Sequence, residues 1–295
     1  MAGDLVLVVG GTGMLGGQVV QQLLARGKRV RALVRQTSDT ASLRAAGVEL
    51  VLGDLMDADS LPKALDGADA VVTSAAGYTR HTPGDTIETD HTGNRNLVDA
   101  AAASAVRRFV LTSILNCHEA PAVPHFWAKK LVEDHLRERG VPFVSLRPGA
   151  FVDYFGSWGG GDGFAAGRVT TIGDADVPMT WVYTPDMAGY LAAAVDTDVA
   201  GSELIDIGWD RPLSARALTD VAAQILGRDI ELVAMDPAQL RRPDMPDDAF
   251  RDFAAMFDFF RTGRYVADTR RQAEVFGSVP SAEDAMRRRL LTAAA

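Results

Sequence analysis

The chain has 295 residues, a formal net charge of −9 and a pI near 5.1. An acidic balance argues against general nucleic-acid binding, which needs a basic face. The single cysteine, Cys117, excludes an internal disulfide and a cysteine-ligated zinc. Apolar runs stay well short of the ~20 residues that cross a bilayer, and the N-terminus lacks the pattern of a signal peptide. We therefore expect a cytoplasmic protein with neither a bound metal nor a membrane partner.

The first 150 residues alternate between short apolar runs and segments with helical spacing. Runs of four to eight buried residues separated by helices are typical of βαβ units and a parallel sheet. The fold class is therefore predicted to be α/β, with a Rossmann-like, doubly wound parallel sheet. The six predicted strands span residues 5–9, 29–35, 48–54, 68–76, 107–113 and 142–149. The predicted helices between them include 14–27, 41–47, 60–67 and a long one over 86–104.

After Gly149 the pattern loosens into an aromatic, Gly-rich stretch, an extended piece with a following helix at 184–195, and a possible last strand at 202–208. Residues 214–228 predict a clean amphipathic helix. Residues 250–260 predict a helix with an aromatic stripe, which is more often core than ligand site. We expect a dinucleotide-binding domain over 1–150 and a smaller substrate-binding lobe over 151–295, part of which returns to the sheet.

A glycine-rich loop follows the first strand and opens the first helix. Gly10, Gly13 and Gly16 are spaced G-x-x-G-x-x-G in the stretch VVGGTGMLGG. Such glycines permit a tight turn and let a pyrophosphate approach the helix N-terminus, where N–H groups and the helix dipole favour anions. The loop predicts a dinucleotide site formed by Gly10, Thr12, Gly13, Met14, Leu15 and Gly16.

Arg35, at the end of the second predicted strand, indicates which dinucleotide binds. In proteins that bind NAD, an acidic residue about 20 positions after the glycine loop accepts hydrogen bonds from the ribose hydroxyls. Arginine stands there instead and suits a 2′-phosphate. The sequence therefore favours NADP(H) over NAD(H), although a strand-end arginine can also be an ordinary exposed cation.

With these residues placed, the chain resembles the atypical short-chain dehydrogenases/reductases of the NmrA-like, isoflavone-reductase-like kind. The likeness covers nearly the whole chain and includes the segments GGTGMLG, RALVR, GNRNLVDAA, VRRFVLTS, AKKLVEDHL, LRPG and TPDMAGYLAAAV. It implies a Rossmann-like fold with a small C-terminal substrate lobe. It also implies that Asp54, with Leu55 beside it, contacts the adenine. The segment near the cofactor's ribose would be formed by Ala75, Ala76 and Gly77.

The same resemblance addresses the stretch HFWAKK, which holds two of the chain's four lysines. Catalytic members of the wider superfamily carry a serine, a tyrosine and a lysine. The lysine stands four positions after the tyrosine on the same helix. Lys129 matches the lysine, because Glu133 follows it at the family spacing. His125 stands where the tyrosine would be. Ser113 is close to the serine position, although a strict alignment can place Ile114 there.

A lysine of this kind would hold the nicotinamide ribose and stabilise negative charge on oxygen, which arginine's rigid fork does poorly. Loss of general acid catalysis costs roughly 10²–10⁴-fold in rate and so slows a reductase without abolishing it. Three proton sources are open: His125 at the tyrosine spacing, His118 after the fifth strand, and solvent or the substrate's own hydroxyl. Asp90 and His91 could also reach this edge of the sheet, or could simply cap a helix.

Aromatic residues that follow the segment LRPG are candidates for a substrate-binding site. Ligand pockets are mostly apolar with few polar anchors, so a flat hydrophobic carbonyl compound is plausible, although the same rings could build the core of the lobe. The candidates are Phe151, Tyr154, Phe155, Trp158 and Trp181.

The leading hypothesis is an NADPH-dependent reductase acting on a ketone, quinone or enone of a bulky aromatic molecule, in monomeric or homodimeric form. Scarce lysine and abundant arginine are typical of GC-rich bacteria, where such ketoreductases often serve antibiotic biosynthesis. One alternative is a non-catalytic, NADP(H)-sensing protein of the NmrA type. Another is an epimerase or dehydratase that retains its cofactor.

Overall fold

The structure is a computed structural model that describes residues 4–77, 84–155, 162–199, 201–241, 243 and 245–292. Its strands are β1 (Leu5–Val9), β2 (Arg29–Val34), β3 (Glu49–Leu52), β4 (Ala70–Thr73), β5 (Arg108–Thr112), β6 (Phe143–Pro148), β7 (Ala150–Phe151), β8 (Arg168–Ile172), β9 (Trp181–Val182), β10 (Glu203–Ile207) and β11 (Glu231–Met235). Its α-helices are α1 (Met14–Ala25), α2 (Ala41–Ala45), α3 (Leu61–Leu65), α4 (Asn94–Ala102), α5 (Pro124–Glu138), α6 (Gly163–Ala166), α7 (Thr184–Ala193), α8 (Ala215–Leu226), α9 (Asp247–Phe260), α10 (Arg270–Phe276) and α11 (Ala282–Thr292).

Seven strands form the main sheet in the order β10-β6-β5-β4-β1-β2-β3. The pairs from β3 to β6 are parallel, and β1 lies between β2 and β4 with Val9 opposite both Leu33 and Thr73. The chain therefore places β2 and β3 on one side of β1, and then places β4, β5 and β6 on the other side. A reversal of this kind leaves a crevice at the carboxyl ends of the two central strands. The predicted Rossmann-like parallel sheet is confirmed.

The predicted helix over 86–104 contains two kinds of helix. Thr86–Gly93 is a π-helix, and α4 continues from it as a regular α-helix that ends at Ala102. A π-helix is rare and is often found at functional sites. The sequence carries no separate signal for it, since helical spacing continues across both parts.

The chain divides into two compact units. The first contains Met1–Arg147 and Pro185–Ile205, and the second contains Pro148–Thr184 and Asp206–Ala295. The core of the first unit lies between the sheet and its helices, with Leu7, Phe109 and Phe143 fully buried. The second unit has its own core around Trp181 and Trp209. It also contains a short parallel pair, β8 with β11, that joins segments far apart in the sequence.

Among the described residues, no helix is both long enough and apolar enough to cross a membrane.

Candidate functional site

Two glycines at the loop after β1, Gly10 and Gly16, lie so close to their neighbours that neither position has room for a side chain. Gly10 has φ +88°, a conformation that favours glycine, and a Cβ there would lie 2.9 Å from Ser74 Oγ. A Cβ on Gly16 would lie 2.1 Å from the Gly10 carbonyl oxygen, closer than atoms can approach. The Gly13 N–H donates to that same carbonyl over 3.0 Å. The first turn of α1 is therefore pressed directly against the end of β1.

The N-terminus of α1 is suited to a phosphate. Gly13 precedes the helix without a side-chain capping bond, and the first turn contains no acidic residue. The first N–H groups of a helix need acceptors from outside, and the helix dipole favours an anion. Thr12 and Met14 are exposed at this turn, and Leu15 is half-buried. A cradle that a Cβ would fill, at the end of a helix with no capping side chain, fits the pyrophosphate of a dinucleotide.

The loops after β2 and β3 lie at the same edge, because parallel strands end on one side of the sheet. Arg35 directly follows β2 and is exposed, while its backbone N–H donates to Ser38 Oγ over 3.0 Å. The Asp54 carboxylate accepts the Met56 N–H at 2.9 Å and so shapes its own turn. Leu55 is buried. The expected contacts of Arg35, Asp54 and Leu55 with the cofactor stay predictions.

Asn94, which the sequence analysis missed, holds the loop after β4. It is fully buried, and its Oδ1 accepts the Thr73 hydroxyl at 3.2 Å. Its Nδ2 donates to the carbonyl oxygens of Thr89 at 2.8 Å and Asp90 at 3.3 Å, with Ala75 O at 3.5 Å. The side chain thereby ties the end of β4 to the π-helix. The sequence signals are a polar residue on the apolar face of a predicted helix and its place in the segment GNRNLVDAA.

Lys129 reaches the same loop from α5. The side chain is buried, and its Nζ donates to the Ala75 carbonyl oxygen over 3.1 Å. Asp90 Oδ1 lies 3.4 Å from this ammonium, and Asp90 Oδ2 accepts the Gly77 N–H at 2.9 Å. The predicted ribose segment Ala75–Gly77 is therefore bonded on one side to the lysine and on the other to the carboxylate. The neighbouring Lys130 instead pairs with Asp134 on the outer part of the helix.

His125 and Ser113 are buried in different surroundings. His125 lies one turn before Lys129 on α5, 2% exposed, with its ring edge-to-face against Phe126. Ser113 follows β5, its Oγ is 3.8 Å from Cys117 Sγ, and its N–H donates to Leu146 O over 2.8 Å. The catalytic roles expected of both residues stay predictions.

A buried ion pair fixes the helix that carries Lys129. Glu133 accepts hydrogen bonds from Ser145 Oγ at 2.7 Å and from Arg147 Nε at 3.0 Å and Nη2 at 2.5 Å. Both donors belong to β6, so α5 is bonded to the sheet one turn beyond the lysine. His118 Nδ1 lies 3.4 Å from Arg147 Nη1, and the guanidinium can only donate in this contact.

The predicted substrate residues lie in the second unit. Phe155 and Trp181 are buried against each other with ring centroids 5.0 Å apart, and Trp181 Nε1 donates to Leu213 O over 2.8 Å. Phe151 and Tyr154 form a more exposed edge-to-face pair at 6.4 Å. Partial desolvation, with the nearby Asp153 charge, raises the pKa of the half-exposed Tyr154 hydroxyl. Trp158 lies outside the described residues, and the substrate role of the whole set stays a prediction.

Comparison with known proteins identifies relatives over most of the chain. A sequence model of the NmrA-like family matches residues 3–279. The (4-alkanoyl-5-oxo-2,5-dihydrofuran-3-yl)methyl phosphate reductase of Streptomyces griseus is 30% identical over 241 residues, which are 80% of this chain and 79% of the relative. The photosystem II assembly factor Ycf39 of Synechocystis is 28% identical over 249 residues, 80% of this chain and 72% of the relative.

Among solved structures, the triphenylmethane reductase of Citrobacter sp., complexed with NADP(H), has a similar fold. The TM-score is 0.78 at 20% identity, with 96% of this chain and 99% of that chain covered. At this identity the likeness demonstrates a shared fold, so the chemistry of the site has to be argued from its own residues.

Proposed function

Since the chain belongs to the NmrA-like family, we propose that it is an NADPH-dependent reductase that transfers hydride to a ketone, quinone or enone of a bulky apolar molecule. The observation that carries the proposal is Lys129, a buried ammonium bonded to the loop after β4. That loop lies across the sheet reversal from the glycine loop. The relative from Streptomyces griseus, named as a reductase, supports the same class of reaction.

The glycine loop supports the cofactor part of the proposal. Gly10 and Gly16 leave no room for side chains, and the N-terminus of α1 offers N–H donors to a pyrophosphate. Arg35 would receive the 2′-phosphate, which distinguishes NADP(H) from NAD(H). When bound, the nicotinamide supplies the hydride, and the protein supplies orientation and charge.

Lys129 would orient the nicotinamide end of the cofactor. An ammonium has three N–H donors: the Ala75 carbonyl oxygen accepts one of them at 3.1 Å, and Asp90 Oδ1 faces the ammonium from a second direction as an ion-pair partner at 3.4 Å. The third direction would serve a ribose hydroxyl, and the positive charge would stabilise a developing alkoxide. The proton sources to be separated are His125, His118, and solvent or the substrate's own hydroxyl. The variant His125→Phe removes only the first, so a rate retained in this variant would leave the others.

The test is NADPH absorbance decay on a panel of quinones and polycyclic aromatic ketones, with NADH run in parallel. Lys129→Met should lower kcat/KM by about 100-fold or more, because charge stabilisation in the transition state is lost. Lys130→Met is the matched control: it removes the adjacent lysine, whose partner is Asp134, and should stay within about twofold of wild type. Equal rates in wild type and Lys129→Met would refute the role of Lys129.

A second candidate is a protein that binds NADP(H) without turnover and acts through a protein partner. It is favoured by His125, which stands buried where the family resemblance places a tyrosine, and by the similarity to the Ycf39 assembly factor. Tight NADPH binding together with no turnover on the whole panel would select this candidate. Turnover that depends on Lys129 would exclude it.

A further inference from the structure

Asp90 occupies an unusual position for a carboxylate. It is fully buried on the π-helix Thr86–Gly93, and it accepts the Gly77 N–H at 2.9 Å while facing the Lys129 ammonium at 3.4 Å. Burial of a charge is costly unless a partner compensates it. The carboxylate therefore compensates the ammonium and at the same time holds the loop to which that ammonium is bonded.

The pair also contributes to the net charge at this end of the site. With Asp90 ionised, the buried ammonium and carboxylate cancel. If Asp90 were neutral, a single positive charge would remain in a poorly screened environment, where its field extends further than in water. Neutralising Lys129 instead would leave a single negative charge there. These two side chains thus contribute opposite charges here, and one of them has no assigned role.

We propose that Asp90 is a positioning residue that sets the relative affinity of the site for oxidised and reduced cofactor, an inference that rests on the proposed NADP(H) binding. The nicotinamide ring carries a positive charge in NADP⁺ and none in NADPH. An uncompensated ammonium would repel only the oxidised ring. By cancelling that charge, Asp90 allows NADP⁺ and NADPH to bind with comparable affinity.

The experiment is a fluorescence or calorimetric titration of each variant with NADP⁺ and with NADPH, in the absence of substrate. Asp90→Asn keeps an oxygen that can accept the Gly77 N–H but loses the charge. The ratio Kd(NADP⁺)/Kd(NADPH) should rise about tenfold. Glu88→Gln is the matched control, because it removes the same charge from an exposed position on the same π-helix and should leave the ratio within twofold of wild type.

Lys129→Met keeps the test decisive if Asp90→Asn does not fold. Removing the ammonium leaves the carboxylate charge, so the ratio should fall below that of wild type, and the double variant Asp90→Asn/Lys129→Met should return towards it. A loss of packing alone would weaken both cofactors equally and leave the ratio unchanged. A ratio within twofold of wild type in every variant that binds NADPH would overturn the inference. Failure of wild type to bind either cofactor would instead refute the proposed function.

Discussion

Arg35 is the residue on which the choice between the two dinucleotides depends. It is exposed immediately beyond β2, at the edge where the glycine loop also lies. A hydrogen bond to a charged group contributes about 1.5–3 kcal/mol, which corresponds to roughly 10–100-fold in affinity. Arg35→Ser should therefore lower the preference for NADPH over NADH by about 10–100-fold, mostly through a higher KM or Kd for NADPH.

The control is Arg44→Ser, which removes an exposed arginine from α2 where it bonds Thr40 Oγ1. Parallel titrations with both dinucleotides should show no change in preference for this variant. If Arg35→Ser retained the wild-type ratio, the 2′-phosphate would have to be held elsewhere and the assignment of Arg35 would be wrong.

At the scale of elements, α1 offers a comparison between two adjacent glycines. Gly16→Ala would place a methyl group 2.1 Å from the Gly10 carbonyl oxygen, so either the loop or the helix has to move. We expect at least tenfold weaker NADPH binding. Gly17→Ala meets nothing nearer than the Gly11 carbonyl oxygen at 3.5 Å, and alanine in a helix interior is favoured over glycine by up to about 1 kcal/mol.

Thermal melting and NADPH titration of both variants separate the two effects. Gly17→Ala should keep its affinity and melt at the same or a higher temperature, whereas Gly16→Ala should lose affinity. Unchanged binding in Gly16→Ala would mean that the close contact between α1 and β1 is not needed for the phosphate site.

The π-helix should respond to acid through His91. Burial and the nearby Arg95 lower the pKa of His91 from its usual value of 6.5. The unfolded chain therefore binds a proton at a pH where the folded chain does not, so stability falls as the pH drops below about 6.5. The hydrogen bond from the Leu5 N–H also lowers the pKa of Asp69. This group affects the stability of the fold only at more acid pH, since the usual value of its pKa is 3.8.

Urea unfolding at pH 8 and at pH 5.5 checks this expectation. His91→Gln should lose less stability than wild type between the two pH values, because the glutamine takes up no proton. An identical loss in both proteins would show that His91 does not contribute to the acid sensitivity of the fold.

For the whole molecule, the parts predicted from the sequence are those with a local signal. Strands such as Leu5–Val9 are short buried runs, and the glycine loop follows one of them directly. Such patterns determine the element and, because strands joined by crossover helices run parallel, the direction of the strands in the sheet. The parallel sheet and its edge of loops followed from these signals alone.

The remaining features depend on contacts between distant residues. Strand β8 is rich in β-branched residues that favour a strand, but nothing local in its sequence indicates that it pairs with β11 across a long sequence separation. Asp90 and Asn94 could be read as helix caps until Gly77, Ala75 and Lys129 lie beside them. A buried polar side chain takes its role from the groups it meets, and those groups come from separate elements.

Strand β10 has a consequence for how the protein is made. The main sheet is completed at its β6 edge by Glu203–Ile207, after the chain has formed Pro148–Thr184 of the second unit. Domains usually fold in order as they leave the ribosome. Until Ile207 has been synthesised, β6 is therefore an edge strand of the nascent sheet. An unpaired edge strand can pair with strands of other chains. The vulnerable interval of this protein is therefore the translation of the segment between β6 and β10.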